Sequence, residues 1–188
     1  MAPVRAFIAF ETPEEIRKEV RAAQSKLLSA GAEVRWEPPD KYHVTIKFLG
    51  NVPEAALPAV LSLTGAAVGR FRTCQVVYQT PGCFPNPRNP RVIWIGCRND
   101  DGTLASLKGE LDRVLTPLGF EPEDRDFHPH LTLGRVRGGR NIGDLISIMN
   151  NLNFEPRTAT IDSIVVMKSD LRPGGSIYTS LQRTRLLQ

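Results

Sequence analysis

The sequence predicts an α+β fold from three observations. Strand-like and helix-like segments follow one another without the regular β-α-β alternation of a parallel sheet. The chain closes on two long strand-like segments, Arg157–Lys168 and Ser176–Arg185, which read as a hairpin. At 188 residues, 41% hydrophobic and 23% charged, it has the length of one domain or two joined lobes and enough apolar residues for a real core.

Val4–Phe10 is the first expected strand. Thr12-Pro13-Glu14-Glu15 then supplies an N-cap, a proline at the first helical position and a capping-box glutamate. Ile16, Val20, Ala23 and Leu27 form one helical stripe, and Gly31 is the left-handed stop. Val34–Trp36 and His43–Phe48 read as strands around a Pro38-Pro39-Asp40 turn. Pro53–Val68 carries helical spacing, with Pro58 delaying the regular start. Thr73–Thr80 and Arg91–Ile95 read as strands bracketing an exposed loop, Pro81–Pro90. Leu104 to Leu115 marks a helix ending near Gly119, His130–Gly134 a strand, and Ile142 to Met149 a short helix.

Composition removes several classes of function. No apolar run approaches the roughly 20 residues of a membrane helix, and Ala6–Phe10 is too short for a secretory signal core, so a cytoplasmic location is expected. Cys74, Cys83 and Cys97 are odd in number and lack metal-site spacing, which reads as reduced thiols. Gly138-Gly139 and Gly174-Gly175 lack the contexts that cradle polyphosphate or dinucleotide, so no such cofactor is expected. A net charge of +4 favours an anionic partner, although only Arg135, Arg137 and Arg140 cluster.

Two of the three histidines begin the same pattern, 87 residues apart: His43-Val44-Thr45-Ile46 and His130-Leu131-Thr132-Leu133. With 12 threonines in the chain, threonine two places after two of three histidines has a chance probability of roughly one in a hundred. Side chains alternate along a strand, so each histidine shares a face with its threonine, and Val44, Ile46, Leu131 and Leu133 take the packed face. Lys47 is expected to extend the polar face. Two such strands across a cleft supply two imidazoles for proton transfer and two hydroxyls for phosphoryl oxygens, an arrangement suited to a phosphodiester.

At these residues the chain resembles the two-histidine (2H) phosphoesterase superfamily, and within it the RNA 2′,3′-cyclic phosphodiesterase (2′–5′ RNA ligase-like) family. The resemblance runs nearly end to end, through Arg5-Ala6-Phe7-Ile8-Ala9, Trp36, His43–Gly50, Phe84, Arg91–Trp94, Phe127–Arg135, and Gly174-Gly175 with Tyr178. It implies a bilobal fold, a single unit over residues 1–188 with one motif per lobe around a central cleft. It also implies metal-independent opening of a 2′,3′-cyclic phosphate on RNA or a nucleotide to a 2′-phosphate, with 2′–5′ ligation by some members in vitro. His43 would then be the proton donor and His130 the proton acceptor, with the labels exchangeable. Thr45, Thr132 and Arg135 would hold the phosphate. Phe7, on the strand face of Arg5, is a candidate stacking surface for the terminal base. A monomer without metal or cofactor is expected.

Other readings compete. His128-Pro129-His130 with His43 would make a three-histidine zinc site. The same cleft without turnover would make an RNA-end binding protein. Trp36, Trp94, Phe84 and Tyr178 read as packing aromatics, and His128 as peripheral.

Overall fold

The computed structural model describes residues 2–188. The strands are β1 (Val4–Glu11), β2 (Val34–Trp36), β3 (His43–Val52), β4 (Cys74–Phe84), β5 (Val92–Arg98), β6 (His130–Val136), β7 (Arg157–Ile161), β8 (Ser163–Arg172) and β9 (Gly175–Arg185). The helices are α1 (Glu14–Leu28), α2 (Leu57–Val68), α3 (Thr103–Leu115) and α4 (Ile142–Asn150). The strands form one sheet in the order β7-β4-β5-β6-β3-β1-β8-β9, with β2 added to β6. All its named pairings are antiparallel. The α+β expectation therefore holds.

The sheet has two halves, joined where β3 meets β6. Helices α2 and α3 pack together beneath the β3-β1-β8-β9 half, while α1 and α4 pack together and α4 lies under β4. The apolar stripe read from the sequence is the buried face of α1: Ile16, Val20, Ala23 and Leu27. Gly31 stops that helix with φ +62°, a conformation that glycine adopts without a Cβ penalty.

Four sequence expectations are corrected here. Thr12 does not cap α1: its backbone N–H donates to Tyr42 O at 3.1 Å, its side chain is buried, and Pro13 occupies the cap position. The Pro81–Pro90 loop is shorter than expected, because β4 continues to Phe84. Thr80, at φ +33°, sits in a bulge that seats Pro81 where its missing N–H costs no ladder bond. The segment Arg157–Lys168 is two strands: Asp162 separates β7, which pairs with β4, from β8, which pairs with β1 and β9. The chain thus crosses between sheet halves inside one apolar run.

The fourth correction concerns Lys47. It does not extend the polar face of β3 but is fully buried, donating to Asp112 Oδ1 at 2.6 Å and to Glu121 O at 2.9 Å. The cause is a bulge. Ile8 faces Lys47 and the next β1 residue, Ala9, faces Thr45, so Ile46 is an extra residue. Alternation restarts after it, which sends Lys47 beneath the sheet and Phe48 to the upper face.

Candidate active site

The two motifs meet at the centre of the sheet, where Val44 of β3 is paired antiparallel with Leu131 of β6. That register sets His43 opposite Thr132, and Thr45 opposite His130. Val44, Ile46, Leu131 and Leu133 are at most 1% exposed, as expected for the packed face. His43, Thr45, His130 and Thr132 all line one cavity of about 500 Å³ on the opposite face.

Both imidazoles are held in the same way. His43 Nδ1 lies 2.7 Å from the carbonyl of Lys41, and His130 Nδ1 lies 2.8 Å from the carbonyl of His128. A carbonyl only accepts, so each Nδ1 carries the proton and each Nε2 is left free for the cleft. The residue two before each histidine thus orients the ring through its backbone carbonyl. Lys41 also donates its ammonium to Ser176 O at 2.8 Å, tying the histidine's approach to the start of β9.

Aromatic rings fix the imidazole planes. His43 has Phe7 at 4.9 Å and Tyr178, edge-on, at 5.2 Å; His130 has Phe84, edge-on, at 5.0 Å and Trp94 at 6.2 Å. Three residues read from sequence as packing aromatics therefore pack on the two imidazoles, and for Trp94 the face-sharing of Val92, Trp94 and Gly96 along β5 is the pattern that carries this. Trp94 lies over Gly82, where an added Cβ would come within 2.3 Å of the indole. Trp36 instead packs against Gly134 of β6.

A second bulge explains Arg135. Ile93 faces Gly134 and Trp94 faces Thr132, so Leu133 is extra, the same motif position as Ile46. Gly134 goes under the sheet as Lys47 does, and Arg135 returns to the cleft as Phe48 does. The carbonyl of Leu133 accepts from Glu37 N at 2.8 Å and from the buried Gln24 Nε2 at 3.0 Å, which pins this bulge to α1. Arg135 lines the cavity, whereas Arg140 turns away toward Glu33.

Phe7 faces the cleft as expected, yet it is only 5% exposed, because His43 and Tyr178 cover its ring. The open aromatic surface of the cavity is Phe48, 54% exposed and 6.4 Å from Phe7. His128 is exposed and lines a separate pocket of about 230 Å³ that includes His130 but not His43. The three imidazoles do not converge, and among the described residues no group of three His, Cys, Asp or Glu side chains is placed to hold a metal.

Burial lowers the pKa of His43 below the ordinary imidazole value, and the charges of Arg135 and His130 add to this against the pull of the Lys41 carbonyl. Burial likewise lowers His130, opposed by the His128 carbonyl and reinforced by Arg135. A bound phosphate dianion or monoanion would reverse the sign of the local field and favour an imidazolium.

The family model for LigT like Phosphoesterase matches this chain twice, over residues 10–94 and 95–178. The chain belongs to the LigT-like phosphoesterase family. A Methanothermobacter thermautotrophicus protein named RNA 2′,3′-cyclic phosphodiesterase is 36% identical to it, covering 97% of this chain and 99% of the relative. A Thermotoga maritima protein of the same name is 30% identical over 95% of this chain and 93% of its own length. Among solved structures, Escherichia coli LigT complexed with 3′-AMP superposes with a TM-score of 0.79 at 26% identity, over 99% of both chains. The bilobal LigT-like architecture is therefore established, and no helix among the described residues is long and apolar enough to cross a membrane.

Proposed function

We propose that this LigT-like phosphoesterase is an RNA 2′,3′-cyclic phosphodiesterase that opens the cyclic phosphate of RNA or a nucleotide to a 2′-phosphate without a metal. The observation that carries the reading is the pair of free Nε2 atoms, each backed by a backbone carbonyl and set beside the other motif's threonine in one cavity. The relatives' shared name supports it. The unit is one domain of two lobes, with one motif in each; it acts as a monomer in the cytoplasm, consistent with three unpaired cysteines.

In the reaction, neutral His130 takes a proton from water at Nε2 as the water oxygen bonds to phosphorus. Protonated His43 gives its Nε2 proton to O3′ as the P–O3′ bond breaks, leaving the phosphate on O2′. The labels follow from access: His130 also borders the second pocket, which brings solvent to its ring. Thr45 and Thr132 donate to the non-bridging oxygens, where charge builds in the transition state. Arg135 adds positive charge, and Phe48 offers the terminal base a stacking face.

A short RNA ending in a 2′,3′-cyclic phosphate, incubated with the protein and EDTA, should give a 2′-phosphate by phosphorus NMR. Binding without turnover would make the protein an RNA-end reader, and turnover only after zinc addition would restore metal chemistry. His43→Ala and His130→Ala should each lose ~10²–10⁴ in rate. A substrate with sulfur in place of O3′ needs little protonation of its leaving group. It should rescue His43→Ala and not His130→Ala; the opposite pattern would exchange the labels.

A further inference from the structure

Arg35 is not used by the reaction described above. It lies on β2 directly across the ladder from Arg135 of β6, and both line the catalytic cavity. Like charges in direct cross-strand register repel and cost stability unless something anionic lies between or beside them. Among the described residues no carboxylate lies within ion-pair distance of Arg5, Arg35 or Arg135. The cavity wall carries Arg5, Arg35, Lys41 and Arg135 against one carboxylate, Glu37.

The two guanidiniums are not equivalent. The charge of Arg135 is felt by both catalytic imidazoles and at Tyr178, while that of Arg35 is felt at Tyr178. Arg135 stands on β6, the strand of His130 and Thr132, and Arg35 stands directly across from it on β2, one strand farther from that motif. Arg35 is half-buried and lines the cavity, so its five donors are partly screened from water. A guanidinium in that setting is suited to a second phosphoryl group, which it engages through paired, charge-assisted hydrogen bonds.

We infer that Arg35 forms a second phosphate subsite, which binds the phosphate on the 5′ oxygen of the nucleotide whose cyclic phosphate is opened. This inference rests on the proposed phosphodiesterase reading and narrows it: the preferred substrate carries at least two phosphoryl groups, and a bare nucleoside 2′,3′-cyclic phosphate leaves Arg35 unpaired. The second group is either the internucleotide phosphodiester of an RNA chain or the 5′-phosphate of a mononucleotide.

The test compares kcat/KM for four substrates: adenosine 2′,3′-cyclic phosphate, its 5′-phosphorylated form, the dinucleotide ApA with a 2′,3′-cyclic phosphate, and that dinucleotide with a neutral methylphosphonate linkage. The wild-type protein should prefer the charged dinucleotide over the adenosine compound by tenfold or more, as one charge-assisted pair supplies. The methylphosphonate should lose that preference, and added salt should erode it. Arg35→Gln should bring the ratio close to one, and Arg35→Lys should keep part of it. A 5′-phosphorylated mononucleotide that matches the dinucleotide marks the subsite as selective for a single phosphate; one that does not marks it as selective for the chain linkage.

A ratio near one in the wild type, a ratio that survives Arg35→Gln, or a methylphosphonate as good as the natural linkage would each overturn the inference. If no substrate turns over, the phosphodiesterase reading fails separately. Equilibrium dissociation constants for the same four compounds then read the subsite, with the same tenfold difference expected and its absence refuting it.

Discussion

Asp112 should matter more to the stability of this protein than its ion-pair partner Lys47, although the two share one contact. Lys47 is fully buried, and its ammonium has two acceptors: Asp112 Oδ1 at 2.6 Å and Glu121 O at 2.9 Å. Asp112 has two cationic partners, since Lys108 donates to Oδ2 at 2.7 Å, and Lys108 keeps Glu123 at 3.8 Å as a second counterion. Asp112→Ala therefore strands a buried ammonium on one carbonyl. Breaking a buried pair from one side costs about 3–5 kcal/mol. Lys47→Met retains the apolar stem and leaves Asp112 paired with Lys108, so the loss is two hydrogen bonds, roughly 1–3 kcal/mol.

Urea unfolding of the two variants measures the difference at constant m-value. Asp112→Ala should lower the midpoint temperature by about 6 °C or more, at ~2–4 °C per kcal/mol for a chain of this size. A loss below about 1 kcal/mol for Asp112→Ala, or one no larger than that of Lys47→Met, would refute the reasoning. The pH dependence has a fixed sign. Burial alone would raise the Asp112 pKa, but hydrogen bonds from Lys108 and Lys47 outweigh it, and the net shift is below the ordinary 3.8. A depressed folded-state value stabilises above the unfolded pKa and is lost as pH falls through the folded one. The gap between wild type and Asp112→Ala should therefore narrow below about pH 4.

Three predictions concern the site itself. Burial and Arg135 lower both histidine pKa values in the free protein, so the fall in kcat/KM with rising pH, where the acid loses its proton, should begin below the ordinary imidazole range. Arg135→Gln should move both limbs of that profile upward, and unmoved limbs would remove Arg135 from the field at the histidines. Gly82→Ala places a Cβ within 2.3 Å of the Trp94 indole; displacing that ring should lower kcat through His130 while Phe48 and Arg35 hold KM, and an unchanged kcat would show that Trp94 does not position the imidazole. Thr45→Val and Thr132→Val each remove one donor from the phosphoryl oxygens with little change in shape, and each should lower kcat/KM by roughly 10²-fold; unchanged values in both would remove the hydroxyls from the mechanism.

Much of the fold and of the site is legible in the sequence. The duplicated His-x-Thr pattern located the centre of the sheet, because a two-residue period is all that is needed to place histidine and threonine on one face. The stripe of α1 and the stop at Gly31 were equally local. What was hidden is non-local. A bulge leaves the apolar-polar alternation of each flanking segment intact and only changes their relative phase, so Lys47 reads as an extension of the polar face, and alternation alone would put Arg135 on the face opposite His130. The clue lay in the parallel places of Lys47 and Gly134, each one residue beyond a motif. Asp162 was invisible for another reason: β7 and β8 are both good strands, and only their partners, β4 and β1, show that the chain changes sheet halves there. Phe7 failed as an open stacking surface because its neighbours in space, His43 and Tyr178, are remote from it in sequence.

The two bulges also show where the internal duplication stops. Through the motif both halves place the same groups: a carbonyl-backed imidazole, a threonine, and an apolar residue extruded from the ladder. One step beyond, the equivalents diverge. Beneath the sheet a buried lysine is matched by a glycine, and in the cleft an exposed phenylalanine is matched by an arginine that has another arginine across the ladder. The reacting groups are thus nearly symmetric, and a symmetric pair cannot tell which end of a cyclic phosphate is O2′ and which is O3′. The asymmetry one residue out supplies that information. In the proposed reaction, an apolar aromatic face on one side and paired guanidiniums on the other orient the nucleotide, with its base toward Phe48 and its remaining phosphate toward Arg35. The two imidazoles keep their roles, and how the substrate lies decides which ester oxygen faces His43, so altering Arg35 or Phe48 should disturb the fidelity of the 2′-phosphate product as well as its rate.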